Sequence, residues 1–299
     1  MIRWSALLLV ACHGAPPVVV SDASTPPVAV VDDASAVDAK HVPTEPVAPE
    51  GMIWVPPGTF TMGADQGGEE DERPAHEVTL AGFFLDRTPV TNEAYAACVQ
   101  AGACATLGSR DPKYAPRLHP VNTTSWDEAK AYCTWRGARL PREAEYERAM
   151  RGDDKRTYAW GNDPPTAERA AFGRSLKTGS TDDVGTHPAG RGPYGHDDLA
   201  GNVWEWAEDE YDPYAYRRAT ANRGVPGTCA EIMQAQDELR SRGLQGFTGS
   251  NPIPYVCERV LRGGAFNYDA YGLRATNRVH HPAQFRLVMA GFRCASSGS

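Results

Sequence analysis

The chain has 299 residues, with 30 Lys and Arg against 38 Asp and Glu, a formal net charge of −8. That acidic balance excludes the cationic surface through which proteins hold nucleic acid, and no apolar stretch reaches the roughly 20 residues that a membrane-spanning helix needs. The charges are dispersed, and the sharpest run, Glu69-Glu70-Asp71-Glu72, reads as a solvated loop.

Taken in chain order, residues 1–11 read as a signal peptide: Arg3 gives a short positive start, Trp4 to Ala11 is apolar, and Cys12 follows at once. Leu9-Val10-Ala11-Cys12 resembles the bacterial lipobox, which implies cleavage before Cys12 and a lipid on its thiol. His13 after the Cys, in place of Asp, resembles lipoproteins sorted to the outer membrane. The expectation is a bacterial cell-envelope protein anchored by lipid, on the periplasmic or the surface side. The alternative is an ordinary N-terminus with a chance Cys.

From Cys12 the chain reads as a tether to residue 50, rich in Pro, Ala and Val and without an aromatic residue. Such a segment buries too little apolar surface to offset its ordering entropy, and residues 13–50, extended at about 3.1 Å each, reach on the order of 120 Å. Composition changes at Gly51, beyond which lies every Trp except Trp4, and about 245 residues suffice for one large core. No internal repeat of fixed period is seen.

Within residues 51–295 the signals are mixed. Met52 to Met62 reads as strand, Pro-Gly turn, strand, and Glu77 to Leu85 as another strand. Thr91 caps a helix that stops at Gly102. Ser125-Trp126-Asp127-Glu128 is a capping box for a helix ending near Gly137. Pro141 starts a third helix that ends at Gly152. Gly-rich loop and short strands follow, with one more helix, Cys229 to Arg240, inside a long insertion at about residues 209–258. The expected class is α+β with little regular structure, stabilised by disulfides.

Seven Cys support export. With Cys12 given to the lipid, the remaining six read as three disulfides in an oxidising compartment. Cys98 and Cys104 are close enough to close a small loop, Cys229 and Cys257 flank one segment, and Cys133 and Cys294 remain as a long-range pair.

Several motifs then appear in register: Gly58-Thr59-Phe60-Thr61-Met62-Gly63, Arg73-Pro74-Ala75-His76-Glu77-Val78, Pro89-Val90-Thr91-Asn92, His119-Pro120-Val121, Arg139-Leu140-Pro141-Arg142-Glu143-Ala144-Glu145, Trp160-Gly161-Asn162, Gly201-Asn202-Val203-Trp204-Glu205-Trp206, Arg262-Gly263-Gly264 and Gly291-Phe292-Arg293-Cys294. In this order they resemble the formylglycine-generating enzyme (sulfatase-modifying factor) family over about residues 51–295. The resemblance implies a compact α+β fold related to C-type lectins, and a structural disulfide between Cys133 and Cys294. A second family disulfide is missing, with Met150 and Arg278 at its positions.

The family's oxidase uses two Cys just after the Gly-Gly hairpin, which together bind Cu(I) as thiolates. Counted from Gly263-Gly264, those places hold Tyr268 and Leu273, and Ala265 stands where the oxidase has Ser. No catalytic residue is therefore assigned and copper is not expected. Other enzyme branches of the family set a three-His iron site in a helical domain, for which residues 13–50 are too short. His280 and His281, adjacent, read as exposed or hydrogen-bonded loop residues. The resemblance further implies a structural Ca²⁺ held by the carboxylates of Asp198 and Glu205 and the carbonyls of Gly201 and Val203, the oxygen set this hard ion takes. The family's other calcium site is doubtful, with Ala171 in place of its Asn, although Asp182 or Asp183 remains as one ligand. Tyr268, Tyr271 and Arg274 are the candidates to line a ligand cleft, since aromatics with an Arg suit a peptide, glycan or envelope-protein partner. The expected function is a non-oxidase binding module, the alternative an enzyme of the same family with altered chemistry.

Overall fold

The computed structural model describes residues 46–218, 224, 227–241 and 256–297. The expected signal peptide, Cys12, nearly all of the tether and the middle of the insertion lie outside the described residues.

Nine short strands and four helices are found among the described residues. β1 (Met52–Val55), β4 (Phe83–Asp86) and β9 (Ala295–Ser297) form one antiparallel sheet, with β4 in the centre. β2 (Gly58–Met62) pairs with β3 (His76–Leu80) as a separate ribbon. The third sheet has the order β7 (Val279–His281), β6 (Arg259–Arg262), β5 (Trp204–Glu210), β8 (Ala290–Gly291), and only its β5–β8 pair is parallel. The single strand expected over Glu77 to Leu85 is two strands, because β3 and β4 take partners in different sheets and the chain must break its ladder between them.

The helices follow their capping chemistry. In α1 (Asn92–Gln100) the Thr91 hydroxyl accepts from the Ala94 N–H at 3.1 Å. In α2 (Trp126–Trp135) the Glu128 N–H donates to Ser125 Oγ at 3.3 Å while the Ser125 N–H donates to Glu128 Oε2 at 2.9 Å, the reciprocal box expected. α3 (Glu143–Arg151) has no side-chain cap of its own at Arg142; instead Asp209 of β5 accepts from the Glu143 N–H at 2.8 Å. Every residue of α3 is buried, its charged ones included. Burial of so polar a helix is tolerable only because the charges are paired: Glu143 with Arg278, Glu145 with Arg139, Glu147 with Arg151 and Arg262. α4 (Cys229–Ser241) is the helix expected in the insertion. β5 runs through Asp209 and Glu210, and Tyr211, Asp212 and Tyr216 are buried, so the core reaches into the start of that expected insertion.

Two apolar clusters fill the interior. One gathers Trp126, Tyr132, Trp204, Trp206 and Phe292 around Cys133 and Cys294. The other gathers Val55, Phe60, Phe83, Leu85, Tyr146, Leu199 and Leu273. All three disulfides expected are present: Cys98–Cys104, Cys133–Cys294 and Cys229–Cys257, with Cα atoms 5.3, 5.5 and 5.7 Å apart. Cys133–Cys294 spans 161 residues and joins α2 to the approach of β9, which is the placement that constrains an unfolded chain most.

Candidate functional site

The segment after β6 is shaped by its glycines. Gly264 has φ +80°, and a Cβ there would lie 2.7 Å from both the Gly272 carbonyl and Leu273 Cδ2, so only Gly lets the two arms of the segment close. Ala265 and Leu273 are thereby buried, Leu273 in the second apolar cluster. Tyr268 is half-buried and stands edge-on to Trp204 with ring centroids 5.2 Å apart.

The other two cleft candidates meet each other and are largely spent within the protein. The Arg274 guanidinium lies 3.9 Å from the centre of the exposed Tyr271 ring, and donates to Glu72 Oε2 and Oε1 at 2.6 and 2.8 Å. The Tyr271 hydroxyl donates to Glu69 Oε1 at 3.0 Å. What remains for a ligand is the face of the exposed Tyr271 ring away from Arg274 and the open part of Tyr268.

This contact corrects the reading of the acidic run. Glu70–Glu72 is a 3-10 turn in which Asp71 and Glu72 are buried. Glu72 is a hub: besides Arg274 it accepts from the Thr276 hydroxyl at 2.6 Å and from Asn277 Nδ2 at 3.3 Å. Burial alone pushes its carboxyl up, but the Arg274 hydrogen bonds and charge and the Thr276 hydroxyl outweigh that, and its pKa is lowered. Asp71 accepts from the Tyr211 hydroxyl at 2.7 Å. A run of like charges in sequence does not reveal that its partners lie some two hundred residues on, so this site was missed; the one local signal is the cluster Arg274, Thr276, Asn277, Arg278.

The loop entering β5 carries the expected calcium ligands. Asp198 and Asn202 take left-handed φ of 53° and 65°, and Gly201 between them has φ +85° with the Ala171 carbonyl 2.5 Å from where a Cβ would sit. Glu205 is fully buried and bound by Arg293, whose Nε donates to Oε2 at 2.7 Å and Nη2 to Oε1 at 2.8 Å. The Tyr146 hydroxyl lies 3.1 Å from Oε1 and equally from the Leu199 carbonyl. A carboxylate offers about four lone pairs, so Glu205 retains room for a cation on Oε2 alone. Asp198 is freer: its Oδ2 accepts from the Gly185 N–H at 2.6 Å, and burial, offset by that bond and by Arg293, raises its pKa. A buried carboxyl so lightly partnered fits a cation. Of the expected calcium ligands, Glu205 has its charge matched by Arg293, and Asp198 is the carboxylate left lightly partnered.

The second acidic place does not fit. Asp182 is taken by Arg174, which donates to Oδ1 at 2.7 Å and Oδ2 at 2.5 Å, and by His187 Nε2 at 2.9 Å. The His187 hydrogen bond and Arg174 hold that carboxyl well below its usual range. A guanidinium already supplies the positive charge there. Asp183 lies 3.7 Å from His119.

His280 and His281 are in β7, not in a loop, and point apart as neighbours in a strand must. His280 stacks on Tyr211 at 3.8 Å and pairs with Glu258, while His281 stacks on Phe285 at 5.9 Å. Among the described residues, no group of three or more His, Cys, Asp and Glu is placed to hold a metal ion.

Residues 38–297 match the sulfatase-modifying factor enzyme 1-like domain. The chain belongs to that family. It is 32% identical over 306 residues to the formylglycine-generating enzyme of Thermomonospora curvata, covering 83% of this chain and 93% of that one. It is 30% identical over 274 residues to the hercynine oxygenase of Mycolicibacterium thermoresistibile, covering 79% of this chain and 56% of that protein, so it spans about half the length of that relative. Among solved structures, PvdO from Pseudomonas aeruginosa superposes with a TM-score of 0.62 at 22% identity, over 82% of this chain and 94% of that one. The fold is thus that of the sulfatase-modifying factor domains, and the match begins at residue 38, ahead of the boundary expected at Gly51.

Inside this sulfatase-modifying factor fold, the described cysteines are all in disulfides. Met150 is buried beside the second apolar cluster and Arg278 pairs with Glu143 at 2.6 Å, so the family's missing second disulfide is replaced at one position by an apolar contact and at the other by an ion pair.

Proposed function

We propose that this is a non-oxidase, ligand- or protein-binding member of the sulfatase-modifying factor family, held at the bacterial envelope. One observation carries the reading. The positions that the family resemblance gives to the oxidase's two thiols hold Leu273, sealed in the core, and Tyr268, packed on Trp204, while the six cysteines of the domain are paired with one another. A phenol and an aliphatic side chain supply no thiolate for soft-metal binding or oxygen activation. Oxygen uptake by the purified chain, loaded with copper and offered a thiol and a Cys-containing peptide, is expected to stay at the protein-free rate. Stoichiometric copper or iron with turnover of oxygen would sink the reading.

The second reading, an enzyme with altered chemistry, is favoured by the identity of 32% to the formylglycine-generating enzyme and 30% to the hercynine oxygenase. The same oxygen measurement separates the two.

Calcium belongs to this proposal as a structural ion on Asp198, Gly201, Val203 and Glu205, supported by the lightly partnered Asp198 carboxyl. A chelator should lower the melting temperature of the parent and leave Asp198→Ala unmoved; equal melts of the parent with calcium and with chelator would remove the ion from the account. Export with a lipid on Cys12 is supported by the three disulfides, which persist in oxidising compartments. Labelled fatty acid should enter the parent chain and not Cys12→Ser.

A further inference from the structure

Arginines in this protein are paired as a rule. Arg148, Arg151, Arg262, Arg278 and Arg293, all buried, each have a carboxylate oxygen within 3.7 Å. Arg110 breaks the rule. It is half-buried, and its charge is desolvated enough that burial lowers its pKa, with only the neutral Tyr95 hydroxyl set against that effect.

What holds Arg110 is two amides that have been turned to face it. Asn92 donates its Nδ2 to the carbonyls of Tyr114 and Pro116 at 2.8 and 2.9 Å, which leaves its Oδ1 to accept from Arg110 Nη1 at 2.9 Å. Asn122, fully buried, donates its Nδ2 to the Val288 carbonyl at 2.6 Å, and its Oδ1 and main-chain carbonyl each lie 3.4 Å from the same Nη1. Three neutral oxygens thus anchor one corner of the guanidinium. The remaining edge, Nε and Nη2, has no partner among the described residues, and neither atom is sealed from solvent. Next to Asn122, Thr123 is held at φ 59°, a left-handed conformation that a β-branched residue takes only when its surroundings enforce it.

A planar guanidinium fixed at one corner, with two parallel N–H donors facing outward and no counter-charge, matches the geometry of an oxyanion. We propose that Arg110 is an anion receptor, taking a carboxylate, sulfate or phosphate group of the ligand that this domain binds. The proposal deepens the binding-module reading and rests on it. Arg117 and Arg286, also on the segments near Arg110 and Tyr95, are already paired with Glu93 and Glu128, so Arg110 alone offers an open fork there.

The test uses the intact chain with ¹⁵N-labelled arginine. Sodium sulfate, sodium phosphate and N-acetylglycine are titrated separately against sodium chloride of equal ionic strength, and the Arg110 Nε–H resonance is followed. A saturable shift with at least one oxyanion is expected, and which of the three binds tightest names the source of the charge. Arg110→Gln should weaken that affinity at least tenfold, as read by calorimetry. Arg110→Lys, which keeps the charge and loses the fork, should fall between. Both variants are expected to melt within about 3 °C of the parent in chloride, since no ion pair is broken. No saturable response to any of the three anions, or equal affinity in parent and Arg110→Gln, would overturn the proposal. Either result leaves the oxygen-uptake comparison untouched, so failure here is distinct from failure of the binding-module reading.

Discussion

Arg293→Met is expected to destabilise the domain by about 3–5 kcal/mol, the range for removing one partner of a buried ion pair. Arg293 is fully buried and does more than neutralise Glu205. Its Nη1 and Nη2 also donate to the carbonyls of Asp86, Arg87, Asp197 and Asp198, at 3.1, 3.3, 3.0 and 3.1 Å. The loss therefore has two parts: Glu205 is left charged in an apolar surround, and a set of main-chain acceptors loses its donor. Urea denaturation of the parent and variant measures the sum. A cost below about 1 kcal/mol would mean that water replaces the guanidinium, and that the site is far wetter than its burial implies. Glu205→Gln tests the other half, since it keeps the shape and leaves the arginine's charge without a counter-ion.

Asp209→Asn is expected to remove most of the loss of stability that the parent shows as pH rises from 6.5 to 8. Burial is the main cause that pushes the Asp209 carboxyl up to about 8 from an ordinary 3.8; the charge of Glu143 adds to it, and the Glu143 N–H opposes it. Between those values the folded chain holds a proton that the unfolded chain has released. Stability therefore falls as pH rises through that window. His196 works in the opposite direction. Buried, and near the charge of Arg293, it is pushed down to about 3 from 6.5, so the unfolded chain takes up a proton that the folded chain refuses, and stability falls as pH drops below 6.5. Taken as a pair, the two slopes oppose each other between about pH 4 and 6.5. Above that range Asp209 alone, at about 1.4 kcal/mol per unit, costs the parent about 2 kcal/mol by pH 8, and His187, whose pKa the Asp182 hydrogen bond raises, adds a slope of the same sign. Asn keeps an oxygen to accept from the Glu143 N–H, so helix α3 stays capped. Parallel curves for parent and variant from pH 6.5 to 8 would show that Asp209 is ionised in the folded protein and that this account is wrong.

Much of the fold is legible in the chain because local chemistry announces it. Thr91, Ser125 and Glu128 declare helix starts through caps that need only neighbours a turn away, and of the fifteen ways to pair six cysteines the short Cys98–Cys104 loop and the family resemblance at Cys133 and Cys294 single out one. The family motifs do the rest, since residues such as Gly201 and Gly264 stand where the backbone admits nothing larger. What was not legible is the polar interior. Glu69-Glu70-Asp71-Glu72 looks like any solvated run, and its meaning depends on Arg274, Thr276 and Asn277 far along the chain. Arg274 in turn looked free for a ligand and proves to be half of that contact. Arg110 shows the reverse: nothing in its neighbourhood marks it, and it stands out only because neutral oxygens, with no carboxylate, hold it.

The sheet formed by β1, β4 and β9 has a consequence for how such a domain travels between proteins. β1 and β9 flank the same central strand and both run antiparallel to it, with Met52 opposite Asp86 and Ser297 opposite Phe83, so the chain enters this sheet at one end and leaves it at the other. A unit entered at one end of a sheet and left at the other suits a place in series along a longer polypeptide, with a linker on either side. That arrangement accords with a relative in which the matched region is 56% of the protein.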